Sequence, residues 1–210
     1  LVREPMPNPL LVLSTRNAKK CREMVALLAP HGIDVRNLEH YPDAPEVEET
    51  GTTFAENAAL KAGIVASAVQ QWTLADDSGI EVDALDGRPG VYSARYAGTD
   101  GDDEANNDLL LEELAGVPDE KRGAHYVCHL ALANPQGEII ARAEQYCRGR
   151  ILHNRHGEGG FGYDPLFLVP EYHRTFGMIG PELKNAISHR ARAFAKMLPM
   201  LLRQLHGSQP

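Results

Sequence analysis

The chain has 210 residues, of which 43% are apolar and 24% charged, and its formal net charge is −8. That is the make-up of an ordinary soluble globular domain with enough chain for one packed core. No apolar run approaches the ~20 residues that span a bilayer, and the acidic balance lacks the broad cationic face that a dedicated nucleic-acid binder needs. Cys21, Cys128 and Cys147 are widely spaced and form no CxxC, which reads as reduced thiols in a cytoplasmic protein.

Residues 1–9 hold three prolines and no apolar stretch. They are read as an extension outside the fold and not as a secretory signal. One continuous domain is expected over residues 10–206.

Leu10-Leu11-Val12-Leu13 reads as a buried strand closed by the polar Ser14-Thr15-Arg16-Asn17. The spacing then predicts a helix over 18–29 with Cys21, Met24, Val25 and Leu28 on its inner stripe, stopped by Pro30 and Gly32. A second strand is expected over 33–38, and 40–52 is a loop carrying Glu46, Glu48 and Glu49. Thr53-Phe54-Ala55-Glu56 fits a capping box and opens an alanine-rich helix to about residue 69, with Asn57 and Lys61 on one face. A strand over 72–75 is expected to end where Asp77-Ser78-Gly79 turns the chain. Gly87-Arg88-Pro89-Gly90 is a turn, and 103–115 a charged helix. Segments 124–133 and 138–152 flank Asn134-Pro135-Gln136-Gly137 as a hairpin. A loop over 157–162, a strand over 166–169 and a helix over 188–205 complete the chain. Strands and helices alternate at first and strands then pair locally, so an α/β domain with a mixed sheet flanked by helices is expected.

Four constellations carry chemistry. A strand, polar turn and helix aim backbone N–H groups at an anion, and Thr15, Asn17 and Lys19 or Lys20 lie where it would sit; the same residue types are also ordinary N-caps. Asp76 and Asp77 with Glu48 and Glu49 suit Mg²⁺, which takes one or two carboxylates plus water and phosphate oxygens. The competing reading makes Asp77 a turn residue and the glutamates solvated, but it leaves Asp76 charged at a buried strand end without a partner. The spacing of Gly157, Gly159 and Gly162 imitates a dinucleotide fingerprint, yet Asp164-Pro165 disfavours the helix that motif must open. Those glycines let backbone approach a flat ligand while Phe161 offers a stacking face, or they form a surface loop anchored by Phe161. Finally, Ser188 caps the last helix and leaves His189 and Arg190 opposing its dipole, which an anionic or carbonyl-bearing ligand would explain and a solvent-exposed basic cap would not need. His153 and His156 are read as surface histidines.

Taken in order, seven segments resemble the inosine/xanthosine triphosphate pyrophosphatase family, hydrolases of noncanonical purine nucleotides. They are Thr-x-Asn-x-x-Lys at 15–20, Glu-Glu-Thr-Gly at 48–51, Thr-Phe-x-Glu-Asn-Ala at 53–58, Ala-Asp-Asp-Ser-Gly at 75–79, Pro-Gly-Val-Tyr-Ser-Ala-Arg-Tyr-Ala-Gly at 89–98, Gly-Gly-Phe-Gly-Tyr-Asp-Pro at 159–165 and Lys-Asn-Ala-Ile-Ser-His-Arg at 184–190. The resemblance implies an elongated mixed sheet in two lobes with a central substrate cleft, a homodimer, and Mg²⁺-dependent hydrolysis of ITP, dITP and XTP to the monophosphate and pyrophosphate. By position, Thr15, Arg16, Asn17, Ala18, Lys19, Lys20 and Lys61 resemble the phosphate-binding set. Glu48 and Asp77 resemble the metal ligands, with Glu49 the neighbouring alternative, and Asp77 also the catalytic base. Ser78, Phe161, Gly162, Tyr163, Asp164, Lys184, His189 and Arg190 resemble the other substrate contacts. Arg16 stands where many relatives have glycine, and Gly177-Met178-Ile179 replaces a more common Ala-Glu. Donors from His189 and Arg190 would suit a 6-oxo purine and repel a 6-amino one. Two rival functions remain: a non-catalytic nucleotide-binding regulatory domain, which would need no pair of carboxylate sites, and a related pyrophosphatase acting on other modified nucleotides.

Overall fold

The protein is described here by a computed structural model covering residues 8–207. Residues 1–7 of the expected extension lie outside the described residues. Pro9 is tied into the domain, its carbonyl accepting the Asp34 N–H at 2.9 Å.

Among the described residues seven strands and five α-helices follow in the order β1 (Leu10–Leu13), α1 (Ala18–Leu28), β2 (Asp34–Asn37), α2 (Phe54–Val69), β3 (Thr73–Val82), α3 (Asp103–Glu113), β4 (Gly123–Ala133), β5 (Ile139–Ile151), β6 (Phe167–Val169), β7 (Arg174–Thr175), α4 (Pro181–Ile187) and α5 (His189–Gly207). They form one sheet ordered β2-β1-β3-β4-β5-β6-β7. β1 is parallel to both its neighbours, and the remaining pairs are antiparallel. This is the mixed α/β sheet that the alternation predicted. Among the described residues no helix is long and apolar enough to cross a membrane.

α5 packs its Ala193, Phe194, Met197 and Leu201 against Leu74, Cys128, Leu130 and Leu132 of β3 and β4. The other face takes α2. Its Ala58, Ala62 and Ala66 meet Ala75, Ala131 and Ala133, and this small-on-small contact lets the helix lie close to the sheet. A further apolar cluster around Ile80, Tyr126, Phe167 and Phe176 sits at the other end of the long strands.

α2 begins with the predicted capping box, complete in both directions between Thr53 and Glu56. Its flank is gripped by the β4–β5 turn. A Cβ on Gly63 would come 2.9 Å from the Gly137 carbonyl, Ser67 Oγ donates to Gln136 O at 3.1 Å, and Gln70 Nε2 donates to Pro135 O at 3.2 Å. The contact at Gly63 explains a residue that otherwise costs a helix interior about 1 kcal/mol.

The structure departs from the sequence expectation in several places, the short strand β7 among them. Val25 is 41% exposed, so the inner stripe of α1 narrows to Met24 and Leu28 with Cys21 half-buried. α4, a seven-residue helix with Pro181 in its first turn, was not expected. Most consequentially, Asp77-Ser78-Gly79 is not a turn. β3 runs straight through it, with Asp76 opposite Leu130, Asp77 opposite His129 and Gly79 opposite Val127. Turn propensity yields to the full ladder that β4 offers. Gly79 serves close approach instead, since a Cβ there would lie 2.7 Å from Gly90 O.

Buried charge ties the helices to this sheet. Lys20 Nζ lies 2.8 Å from Asp76 Oδ1, and Arg190 Nε lies 3.1 Å from Asp76 Oδ2. Arg190 also pairs with Glu23. Lys184 Nζ then lies 2.8 Å from Glu23 Oε1 and 2.6 Å from Asp164 Oδ2. Three cations and three carboxylates thus alternate from α1 through β3, α5 and α4 to the 157–164 loop. Burial alone would raise the Asp76 pKa, but Arg190 and Lys20 outweigh it and hold the carboxyl well below its usual range. Removing this charge leaves Arg190 under-compensated in the interior, so Asp76→Asn is expected to lower unfolding stability by about 3–5 kcal/mol, measured by urea denaturation at neutral pH. Because the folded-state pKa is depressed, the contribution of Asp76 is present above the ordinary aspartate pKa and is lost as pH falls through the folded value.

Candidate active site

β1 pairs with β3 only through Val12 with Thr73 and Leu13 with Leu74. Beyond this, β1 gives way to the polar turn while β3 continues beside β4. Successive side chains point to opposite faces of a strand, so Asp76 and Asp77 diverge. The vacated edge nevertheless lets both border one cavity of about 560 Å³, together with Thr15, Arg16, Asn17, Lys20, Glu48, Glu49, Lys61, Ser78 and Arg95.

Asn17 accepts from the Lys19 and Lys20 N–H groups at 3.0 and 3.1 Å, capping α1. Two of the backbone donors expected for an anion are therefore already engaged. Lys20 points into the cavity. Lys19 lines neither this cavity nor the one described below; it pairs with Asp103 at 2.8 Å and is half-exposed. Ala18 lies beside a separate, smaller cavity.

Asp76 and Asp77 have different circumstances. Besides its two cations, Asp76 accepts from Ser78 Oγ at 3.0 Å and from Cys128 Sγ at 3.0 Å. The protein itself thus supplies the partners whose absence in the sequence pointed towards a metal. Asp77 meets Lys61 Nζ at 2.7 Å through Oδ1, while its Oδ2 is buried without a partner among the described residues. Burial raises the Asp77 pKa, Lys61 and Lys20 lower it, Glu49 raises it, and the balance stays above the usual value. Glu49 is bound by Lys61 at 2.8 Å and by Arg95 at 3.5 Å, whereas Glu48 is an exposed carboxylate on the wall. The cavity walls carry Arg16, Lys20, Lys61 and Arg95 against Glu46, Glu48, Glu49, Asp76, Asp77 and Asp100, a formal charge of −2.

A second cavity of about 140 Å³ adjoins the first, sharing Asn17, Lys20, Ser78, Ala94 and Asp100. Phe161, Gly162, Tyr163, Asp164, Lys184, His189 and Arg190 all line it. The sequence had scattered these residues over thirty positions, and the loop and α4 bring them together. Asp164 Oδ2 accepts from the Phe161 N–H at 2.8 Å, and the Phe161 ring lies 4.5 Å from Lys184 Nζ. Tyr163 donates to Ser93 O at 2.8 Å, which commits its hydroxyl to the scaffold. Ser188 caps α5 through the Ala191 N–H at 3.2 Å.

His189 and Arg190 are not the solvent-exposed basic cap of the competing reading; both are buried. Burial, then the nearby Arg190 and Lys184 charges, push the His189 pKa well below its usual value, so the ring is neutral. The Arg190 fork is largely engaged by Asp76, Glu23 and Ser78 Oγ, the last at 2.8 Å. His153 pairs with Asp119 at the surface.

Sequence reasoning missed Glu23, Arg95 and Tyr126. A charged residue three positions after Lys20 on the Met24–Leu28 side of α1 was the available signal for Glu23. Arg95 lay inside a quoted motif that had received no role.

The family model for the Ham1 family matches residues 11–200. A Rhodopirellula baltica protein named dITP/XTP pyrophosphatase is 52% identical over 198 residues, covering 94% of this chain and 95% of its own. A Geobacillus kaustophilus protein of the same name is 52% identical over 187 residues, covering 89% and 91%. Among solved structures, a HAM1 protein from Coxiella burnetii superposes with a TM-score of 0.83 at 37% identity, over 92% of this chain and 98% of that one. The Staphylococcus aureus Ham1 protein gives 0.79 at 37% identity, over 95% and 100%. With the sheet, the two adjoining cavities and these likenesses in agreement along nearly its whole length, the chain belongs to the Ham1 family.

Proposed function

We propose that this protein hydrolyses ITP, dITP and XTP to the monophosphate and pyrophosphate. The observation that carries the reading is a charged chamber joined to a chamber of aromatic and donor groups, in a chain about half identical to proteins named dITP/XTP pyrophosphatase. The larger chamber suits a triphosphate and the smaller a purine, in a cleft shared by both.

Thr15, Asn17, Lys20 and Lys61 hold the phosphates, with Arg16 and Ala18 supporting the turn. Lys19 is better placed to guard the rim. A tetra-anionic triphosphate does not enter walls of net charge −2 unaided, so positive charge must accompany it. The residues fit a divalent ion, Mg²⁺ by donor type: Asp77 Oδ2 is buried and unpaired among the described residues, and Glu48 or Glu49 stands on the same wall. Among the described residues no three acidic, histidine or cysteine groups form a ready-made cage, which suits an ion that keeps waters and substrate oxygens. When bound, such an ion supplies charge neutralisation at the phosphates.

Asp77 holds the attacking water and accepts its proton. Lys61 keeps that carboxylate oriented. Phe161 stacks on the base, and His189 presents one neutral N–H edge to a 6-oxo group. Lys184 supplies a further donor, while Ser78, whose hydroxyl hydrogen goes to Asp76, contributes an edge of the wall shared by both cavities. The three unpaired thiols accord with a cytoplasmic setting, and a homodimer is the expected assembly.

Pyrophosphate release from ITP, XTP, GTP and ATP, with Mg²⁺ and with EDTA, tests the reading. ITP and XTP should lead by at least about 10²-fold in kcat/KM, and the activity should vanish in EDTA. Equal cleavage of ATP overturns it. Asp77→Asn should reduce kcat by about 10²–10⁴-fold with an unchanged thermal melt; near-normal turnover removes Asp77 from the mechanism. In the wild type, kcat/KM should decline as pH falls through the raised Asp77 pKa, placing the acid limb above the range of an ordinary aspartate. A pH–rate profile reads this directly.

A further inference from the structure

Tyr126 of β4 has no place in the motifs, yet it forms part of the wall of the smaller cavity. Its ring stacks flat on His189, with centroids 4.6 Å apart and planes 8° from parallel. Behind it, Phe167 and Phe176 hold that ring at centroid distances of 4.8 and 5.9 Å. Its hydroxyl faces Asp164 Oδ1 at 3.3 Å.

An imidazole is ordinarily oriented by the hydrogen bond its second nitrogen makes. His189 has none: its Nδ1 is buried without a partner among the described residues. The stack therefore bears directly on the plane of the ring. The hydroxyl contact is long for an O–H···O bond, so the ring contributes more than the hydroxyl does.

We infer that Tyr126 is a positioning residue for purine recognition, its ring holding His189 in the plane that presents the imidazole edge to the base. This rests on the proposed function, since it assigns how that site reads its substrate. Of the two cavities, Tyr126 lines the smaller and not the larger, and Asp77 the larger and not the smaller. Its loss therefore acts on base binding and discrimination and spares the hydrolytic step.

Tyr126→Leu removes the stack and keeps apolar bulk, while Tyr126→Phe keeps the stack and removes the hydroxyl. The leucine variant should raise KM for ITP and lower kcat/KM by about tenfold, the scale of one aromatic pair. The preference for ITP over ATP should narrow by a similar factor, with kcat within about twofold of wild type. Phenylalanine should rescue both KM and the preference. Tyr126→Met provides a second non-aromatic replacement.

Independently of turnover, the His189 ring protons, assigned by their loss in His189→Gln, should be shifted upfield in the wild-type NMR spectrum by the tyrosine ring current. That shift should persist in the phenylalanine variant. An unshifted His189 resonance overturns the inference without any unstacked variant. So does a leucine variant that keeps the wild-type KM and preference, or one that loses kcat alone. A wild type that shows the shift but does not favour ITP instead sinks the functional reading and leaves the stacked geometry standing.

Discussion

The strand carrying Asp76 and Asp77 has neighbours on both sides at Leu74, but from Ala75 onward its next run of ladder bonds is with β4 alone. Adjacent carboxylates in a strand fully flanked by neighbours would face separate compartments. Here the early end of β1 opens a notch, and the two faces of β3 meet around its exposed edge. The polar turn, the start of α1 and Lys61 of α2 then close over that notch. One short strand thus allows a structural acid and a candidate reactive acid to stand side by side in sequence with different partners.

The alternating chain Lys20, Asp76, Arg190, Glu23, Lys184, Asp164 supplies the rigidity. Each member alone would be penalised by several kcal/mol for leaving water. Together they are neutral, and each carboxylate is shared between cations or reinforced by neutral donors. Such a network adds little net stability but tolerates few alternative arrangements. It also leaves spare hydrogens on the ammonium groups, since Lys184 uses two of its three donors on Glu23 and Asp164. Cations are thereby held ready beside the cavities before any ligand arrives.

Local signals in the chain were sufficient for the elements whose ends are marked chemically. The Thr53–Glu56 box, the Asn134–Gly137 turn and the Ser188 cap all lie where expected. The seven motifs gathered about two thirds of the residues that line the two cavities, leaving out Lys61, Asp100 and Tyr126 among others. What the sequence could not convey was pairing across distance. Asp77-Ser78-Gly79 has the composition of a turn, and only the presence of β4 makes it a strand. Asp76 looked like a metal ligand because its cations, Lys20 and Arg190, come from helices 56 residues before it and 114 residues after it. Tyr126 reads as one more apolar strand position until α5 lays His189 upon it.

The grip of the β4–β5 turn on Gly63, Ser67 and Gln70 extends this lesson to the surface. Hairpin tips commonly absorb insertions because nothing leans on them. In this protein the tip acts as a jig for α2, and Lys61, the ammonium that meets Asp77, stands two residues from the first point of contact. Length variation at residues 134–137 would therefore reach, through α2, the seat of Lys61 against a carboxylate on a neighbouring strand.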